Sequence, residues 1–203
     1  MTLHDNAYAA FMLDYAAGAL SPAETLAADL HRALSARGAR NARMADAVGG
    51  AMLEKAKPAL TGHFDGIRLG DGADKVKRDA RLDPYLRADL LALPWRKNIF
   101  GLQTLGTSTP MASLLRLDPG ERAPGHGHGR RDVAVVLCGS FADEFGVYET
   151  GDLAFAEPGM KHQPRAVGDR SCVCLLAAEP GKPVSGFLGM FGIGPGAAPR
   201  RRA

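Results

Sequence analysis

The 203-residue sequence predicts an α+β chain in which a small helical bundle precedes an all-β domain, a sandwich or a barrel. Near the N-terminus, four apolar side chains have the i, i+3, i+4, i+7 spacing of one helix face: Tyr8, Phe11, Met12 and Tyr15. After Trp95, short apolar runs alternate with Gly and Pro, which is typical of strands joined by tight turns. The helical period is therefore confined to the first part of the chain and the strand signal to the second.

The second helix has a clear start signal. Gly18 is expected to end the first helix, and Ser21 then offers an N-cap hydroxyl, with Pro22 in the first turn and Glu24 as the acidic member of a capping box. The helix is predicted to reach about Arg37 and to direct one face toward a core: Leu26, Leu30, Ala33 and Leu34.

A third helix is predicted after Gly38. Asn41 is its expected N-cap and Pro58 its limit, because proline cannot continue a helix interior. Its expected core side chains are Met44, Val48 and Met52. Three short helices make a small bundle.

The composition changes between the helical and the all-β regions. Gly, Asp and Lys dominate from Thr61 to Pro94, and this stretch is longer than loops inside a compact domain usually are, which indicates a linker. We expect a helical domain over residues 1–80, a linker over 81–94, an all-β domain over 95–192 and a disordered tail over 193–203. Five apolar runs are expected to form strands: MASLLRL, VAVVLCG, GDLAFAEPG, CVCLLAA and VSGFLGMF.

The charge pattern argues against direct nucleic-acid binding. The net charge of +3 equals the contribution of the terminal Arg200, Arg201 and Arg202, and no basic stripe with interleaved aromatics runs through the chain. The N-terminus lacks the basic start and apolar stretch of a signal peptide, and no run has the length of a membrane span. We therefore expect a cytoplasmic protein with no membrane contact and with reduced cysteines.

Two histidines one residue apart, in the segment PGHGHGRRD, suggest a metal site. Side chains at i and i+2 of a strand share a face, so His126 and His128 can point together into a barrel interior, and Asp132 keeps the same parity. His162 can supply a third imidazole from a neighbouring strand. Three histidines and a carboxylate suit Zn, Fe, Mn or Ni. The alternative is that the segment is a flexible, solvated loop.

The order of residues favours the metal site. From Gly120 the chain runs through His126, His128 and Asp132 to Gly139, and a second group at Gly151 to Gly159 precedes the third histidine. This order resembles the two cupin motifs, with aspartate where glutamate is usual. Aspartate is shorter by about 1.5 Å, one C–C bond, so Asp132 either coordinates the metal as a fourth ligand or lies behind the ligands. Zinc would be satisfied by the three histidines and a water.

The N-terminal segments MLDYAAGAL and DAVGGAMLE, with His31 between them, resemble the ChrR family of zinc anti-sigma factors, and the histidine-rich segment and CVCLLAA resemble its cupin-like domain. The resemblance implies that the first domain sequesters a group IV (ECF) sigma factor and that the cupin-like domain senses an oxidant or small molecule, as in an oxidative stress response. We expect an exposed apolar face on the bundle to bind this partner: Tyr8, Phe11, Tyr15, Leu26 and Leu30. The alternatives are that this face packs on the β domain or forms a homodimer.

One departure concerns the zinc site that the family has in its N-terminal domain, formed by an early histidine and His-x3-Cys-x2-Cys. Here His31 is followed by Ser35 and Gly38, and only His4 lies upstream. Both thiolates are missing, so we expect no zinc there.

A second function remains open, a metal-dependent dioxygenase or lyase of the cupin type acting on a small organic substrate, with the helices serving dimerisation. Histidines and a carboxylate on Fe(II) suit oxygen chemistry. No acid, base or substrate clamp is evident beyond the metal ligands, so the sequence favours the regulator over the enzyme. Cys172 and Cys174 share a strand face, but their apolar setting indicates core.

Overall fold

The computed structural model describes residues 3–55, 79–98 and 100–178, and the structural statements below concern those ranges. Three helices come first: α1 (Leu3–Ala16), α2 (Pro22–Leu34) and α3 (Ala36–Lys55). A single 3-10 turn follows at Leu90–Ala92. Within these ranges, no helix combines the length and the apolar character needed to cross a membrane.

The predicted start of α2 is confirmed. Ser21 is the N-cap, Pro22 occupies the first turn, and the Ser21 backbone N–H donates to Glu24 Oε2 at 3.1 Å while the Glu24 N–H donates to Ser21 Oγ at 3.4 Å. This reciprocal pair satisfies two of the N–H groups that a helix start leaves without partners. Leu26 and Leu30 are buried as expected, whereas Ala33 is exposed.

The predicted start of the third helix is wrong. α3 begins at Ala36 and runs through Gly38 and Asn41, with only Ser35, in extended conformation, separating it from α2. Asn41 does not cap α3; its amide donates to Tyr8 Oη at 2.8 Å. Met44, expected in the core, is 66% exposed, while the predictions for Val48 and Met52 lie outside the described side chains.

Eleven strands follow in the described part of the chain. Their bounds are β1 (Arg96–Lys97), β2 (Gln103–Gly106), β3 (Ala112–Leu117), β4 (His126–Gly127), β5 (Asp132–Cys138), β6 (Ser140–Ala142), β7 (Val147–Glu149), β8 (Leu153–Ala156), β9 (Lys161–His162), β10 (Arg165–Ala166) and β11 (Cys172–Ala178). Four of the five predicted runs are confirmed as β3, β5, β8 and β11; the fifth, VSGFLGMF, lies outside the described residues.

The strands form one large antiparallel sheet, in the order β1-β2-β3-β11-β5-β8, and two small ones, β10-β6-β7 and β4-β9. Side chains of the large sheet alternate between its two faces. One face packs against the small sheets in an inner core that includes Leu115, Val136, Phe141, Tyr148 and Leu176. This arrangement, in which one large sheet faces two small ones, is the expected cupin-type domain.

The other face of the large sheet is covered by the helices. Phe11 and Leu30 are fully buried in one core with Val135, Phe155 and Leu175 of the sheet, and the Phe11 and Phe155 rings meet edge to face at 5.3 Å between centroids. The apolar helix face that the sequence analysis assigned to a partner is thus not exposed, because the sheet covers it. This is the packing alternative stated above.

The segment joining the two regions is also part of this core. Leu82, Tyr85 and Leu90, from the predicted linker, are buried with the helix and sheet residues, and residues 56–78 lie outside the described ranges. The predicted domain boundaries remain a prediction.

Candidate metal centre

Three histidines meet at one end of the inner core. β4 and β9 pair so that His126 lies opposite His162. His128 follows β4 and is fixed by its backbone, since its N–H donates to the Met160 carbonyl at 3.1 Å and its carbonyl accepts from Gly159 N–H at 2.8 Å. The two short strands therefore bring together residues 34 and 36 positions apart in the sequence.

Each ring donates through Nδ1 to a fixed acceptor. His126 Nδ1 lies 2.8 Å from the Pro124 carbonyl, His128 Nδ1 lies 2.7 Å from Asp132 Oδ2, and His162 Nδ1 lies 2.7 Å from Asp143 Oδ2. Carbonyl and carboxylate oxygens only accept, so the Nδ1 atoms carry the protons in the neutral rings. The three Nε2 atoms are left with their lone pairs.

Those three lone pairs converge. His162 Nε2 lies 3.0 Å from both His128 Nε2 and His126 Nε2. Lone pairs at this distance repel one another unless a cation lies between them. Tetrahedral ligands at the usual Zn–N distance of about 2.0–2.1 Å are about 3.3 Å apart, close to the separation found. The donor set therefore fits a divalent metal, and the cluster of His126, His128 and His162 could hold one.

Asp132 lies behind the histidines in this arrangement. Its Oδ2 is bound to His128 Nδ1, so it contacts the ring on the side away from the converging Nε2 atoms. A carboxylate in this position fixes the tautomer and orientation of a ligating histidine and raises its basicity. The shorter side chain explains the placement, since aspartate does not reach as far into the site as glutamate would.

Asp143 was missed by the sequence analysis. It follows β6, its side chain is only 3% exposed, and it holds His162 as Asp132 holds His128. Burial acts to raise the pKa of Asp143, but hydrogen bonds from His162 and from the Phe145 backbone bring this pKa below its ordinary value. Nothing in the local sequence marks this aspartate, because its partner is 19 residues away.

The cluster borders an inner cavity, which His128 and His162 help to line. The cavity has a volume of about 50 Å³, and its wall is apolar apart from His128, His162, Asp132 and Asp143. Cys172 and Cys174 belong to this wall, with their Sγ atoms 3.6 Å apart. Burial lowers the pKa of His126 to about 4, so its Nε2 is available as a neutral ligand at pH 7.

The N-terminal histidine has a different environment. His31 is 2% exposed; its Nδ1–H donates to the Gly151 carbonyl at 2.6 Å, and its Nε2 accepts from the Tyr8 hydroxyl at 3.0 Å. A Cβ at Gly38 would lie 2.6 Å from the His31 carbonyl oxygen, so glycine lets α3 approach. Ser35 lies between the helices as the C-cap of α2. The side chain of His4 is outside the described part, and the expectation of no zinc there remains a prediction.

Comparisons of the sequence and of the structure with known proteins both lead to ChrR proteins. The family model of the ChrR cupin-like domain matches residues 92–181. The anti-sigma-E factor ChrR of Cereibacter sphaeroides is 29% identical over an alignment covering 93% of this chain and 95% of that protein. A chain in the crystal structure of Rhodobacter sphaeroides SigE in complex with the anti-sigma ChrR superposes with a TM-score of 0.66 and 30% identity, covering 84% of this chain and 96% of that chain.

Proposed function

This chain belongs to the ChrR family of anti-sigma factors, and we propose that it acts as one, binding a group IV (ECF) sigma factor through its helical region. The observation that carries the proposal is the extent of the similarity. It spans both the helices and the cupin-like domain and covers nearly all of a relative named for its anti-sigma activity. A sigma factor acts on RNA polymerase, so we also propose that the protein works in the cytoplasm.

The sigma factor would bind the outer faces of the helices. The inner faces of α1 and α2 contact the large sheet and are not accessible. Among the helix side chains that the structure describes, two large apolar ones are exposed: Leu13 of α1, 64% exposed, and Met44 of α3. Exposed apolar side chains on two adjoining helices suit a protein partner.

Co-expression with the sigma factor encoded beside this gene, followed by pull-down and a transcription reporter, tests the proposal. The wild type should form a complex and repress the reporter, and Leu13→Asp combined with Met44→Asp should weaken both. Val147→Asp is the matched control, because Val147 in β7 of the cupin-like domain has the same 64% exposure. Failure of the wild type to bind or to repress would contradict the proposal.

We further propose that His126, His128 and His162 bind one divalent metal, most simply zinc, with Fe, Mn or Ni as alternatives. The support is the convergence of three Nε2 atoms, in rings whose Nδ1 atoms each donate to a protein oxygen. A zinc ion bound by three histidines keeps a fourth position open for water or a small ligand. We assign Asp132 and Asp143 to the positioning of the ligands.

This site would be the sensor. The cavity beside it has room for only a few heavy atoms, and its walls are largely apolar. The Oδ1 atom of Asp132 is buried there with no hydrogen-bond partner among the described residues, so it can accept from a small donor. These features favour a small oxidant or similarly small molecule as the signal.

A further inference from the structure

We propose that Arg131 is a positioning residue that couples metal binding in the cupin-like domain to the packing of the helices on the large sheet. The inference rests on the metal site proposed above. It concerns how the state of that site reaches the helical region.

Arg131 joins the two regions directly. It immediately precedes Asp132, yet its guanidinium contacts the helices instead of the inner core. Its Nη2 and Nε lie 2.7 and 3.2 Å from Glu24 Oε1, and its Nη1 lies 3.5 Å from Asp14 Oδ2. Its Cζ is 5.8 Å from the centroid of the Phe11 ring. One side chain from the loop of residues 128–132, called the histidine loop below, thus contacts both α1 and α2.

The helical end of this contact is rigid. Glu24 has a side chain 4% exposed, and its second oxygen accepts from the backbone N–H and the hydroxyl of Ser21. Burial acts to raise the pKa of Glu24, but hydrogen bonds from Ser21 and Arg131 bring this pKa below its ordinary value. Glu24 is therefore an ionised carboxylate at a fixed point of the helix start, and it sets the position of the guanidinium.

At the other end of the histidine loop lies His128, one of the three proposed metal ligands. Asp132 accepts from His128 Nδ1, so residues 128–132 connect the orientation of the His128 ring to the Glu24 contact. In the packed arrangement His128 Nε2 already faces His162 Nε2 at 3.0 Å, so the packed helices and the metal-competent geometry occur together. Coupling between two equilibria is reciprocal. Metal binding should stabilise helix packing, and loss of the metal should loosen it.

The test is zinc affinity of the full chain, measured by competition with a chromophoric chelator. Glu24→Gln keeps the capping box, because glutamine serves at that position, but removes the charge. Glu24→Gln and Arg131→Gln should each lower zinc affinity about five- to tenfold, the low end of typical couplings. The double variant should be no weaker than the worse single variant, and Arg131→Lys should recover part of the affinity.

Two control variants separate coupling from general destabilisation. Leu102→Ala removes a buried side chain that belongs neither to the helix–sheet core nor to the cavity wall, so it should lower the melting temperature but leave zinc affinity unchanged. Arg122→Gln removes an exposed charge before the loop and should change neither.

Hydrogen exchange gives a second readout. Zinc should slow amide exchange in α1 and α2 of the wild type, and this protection should be lost in Arg131→Gln. Unchanged zinc affinity in Glu24→Gln, or an equal loss in Leu102→Ala, would overturn the coupling. A wild type that binds no zinc would instead refute the metal site itself, and the coupling with it.

Discussion

The protein contains two histidine sites with opposite properties. At His31 both ring nitrogens are occupied by protein atoms, a carbonyl on one side and a hydroxyl on the other. At His126, His128 and His162 the Nδ1 atoms contact carbonyl or carboxylate oxygens, and the Nε2 atom of His162 lies 3.0 Å from the Nε2 atoms of the other two rings. All four rings are largely withdrawn from solvent. What differs between the two sites is the group that faces Nε2: the Tyr8 hydroxyl at His31, and another imidazole in the cluster. This difference, and not burial, decides which histidines can bind a metal.

The environment of His31 shows how this histidine takes part in packing. In this chain His31 lies between α1 and the turn before β8, where Gly151 has a φ of +92° and approaches the end of α2. His31 contributes a buried hydrogen-bond bridge between the helices and the sheet. The helical region is thus held by the cupin-like domain through this bridge and the shared core.

The largest difference between His31 and the three-histidine cluster is expected when one histidine of the cluster is removed. His128→Ala should abolish stoichiometric metal, because two histidines leave the ion without a third protein ligand. Elemental analysis of protein expressed in zinc- and iron-replete medium gives the answer, with His31→Gln expected to retain the wild-type metal content. A wild type without stoichiometric metal would refute the site.

Removal of the other histidine should affect stability instead. His31→Ala leaves the Gly151 carbonyl and the Tyr8 hydroxyl without their buried partner, and we expect a loss of about 2–4 kcal/mol in the free energy of unfolding. Urea titration followed by circular dichroism measures it. Helices and sheet should unfold in one transition, since they share a core. Leu13→Ala, at an exposed position, should change stability by less than about 0.5 kcal/mol.

The carboxylates behind the cluster should have an intermediate effect on metal affinity. Asp143→Ala and Asp132→Ala should each weaken zinc binding by about 10- to 100-fold, the usual cost of losing the partner of a ligating histidine. Chelator competition measures this, and Asp169→Asn, at an exposed aspartate, is the control. If Asp132→Ala abolished binding as completely as His128→Ala does, Asp132 would belong among the ligands.

The smallest expected effect is a pH dependence of stability due to His31. Burial lowers its pKa; the Gly151 carbonyl and the Asp152 charge oppose this shift, and Arg37 adds to it. A lowered pKa means that the unfolded chain binds the proton first as pH falls. The contribution of His31 is therefore complete above about pH 6.5, its ordinary pKa, and declines below it. Urea titrations at several pH values should show a smaller decline in His31→Gln; an identical decline would assign it to other groups.

Local chemistry in the sequence was sufficient for much of the fold. The capping box at Ser21 and Glu24 depends on residues three apart, and the alternation in β5 and β11 on residues two apart, so both could be predicted. The three histidines could also be predicted. His126 and His128 are two residues apart, as side chains on one face of a strand are, and His162 follows the second of the two cupin-like motifs. The start of α3 was misjudged because Gly38 was taken as a stop, whereas Ser35 precedes the helix and its hydroxyl accepts from the Gly38 N–H at 3.3 Å. Gly38 is inside the helix, where the approach to His31 leaves no room for a side chain.

The sequence by itself determined the two kinds of secondary structure, the capped helix and the three histidines, because these follow from short spacings and residue chemistry. Only the tertiary structure decided that the apolar face of the helices is covered by the sheet, that Asp143 supports His162, and that Arg131 contacts Glu24. These pairs are separated by 19 to 107 positions in the chain. Their meeting depends on how the layers stack, and a buried charge or donor takes whichever partner that stacking brings within reach.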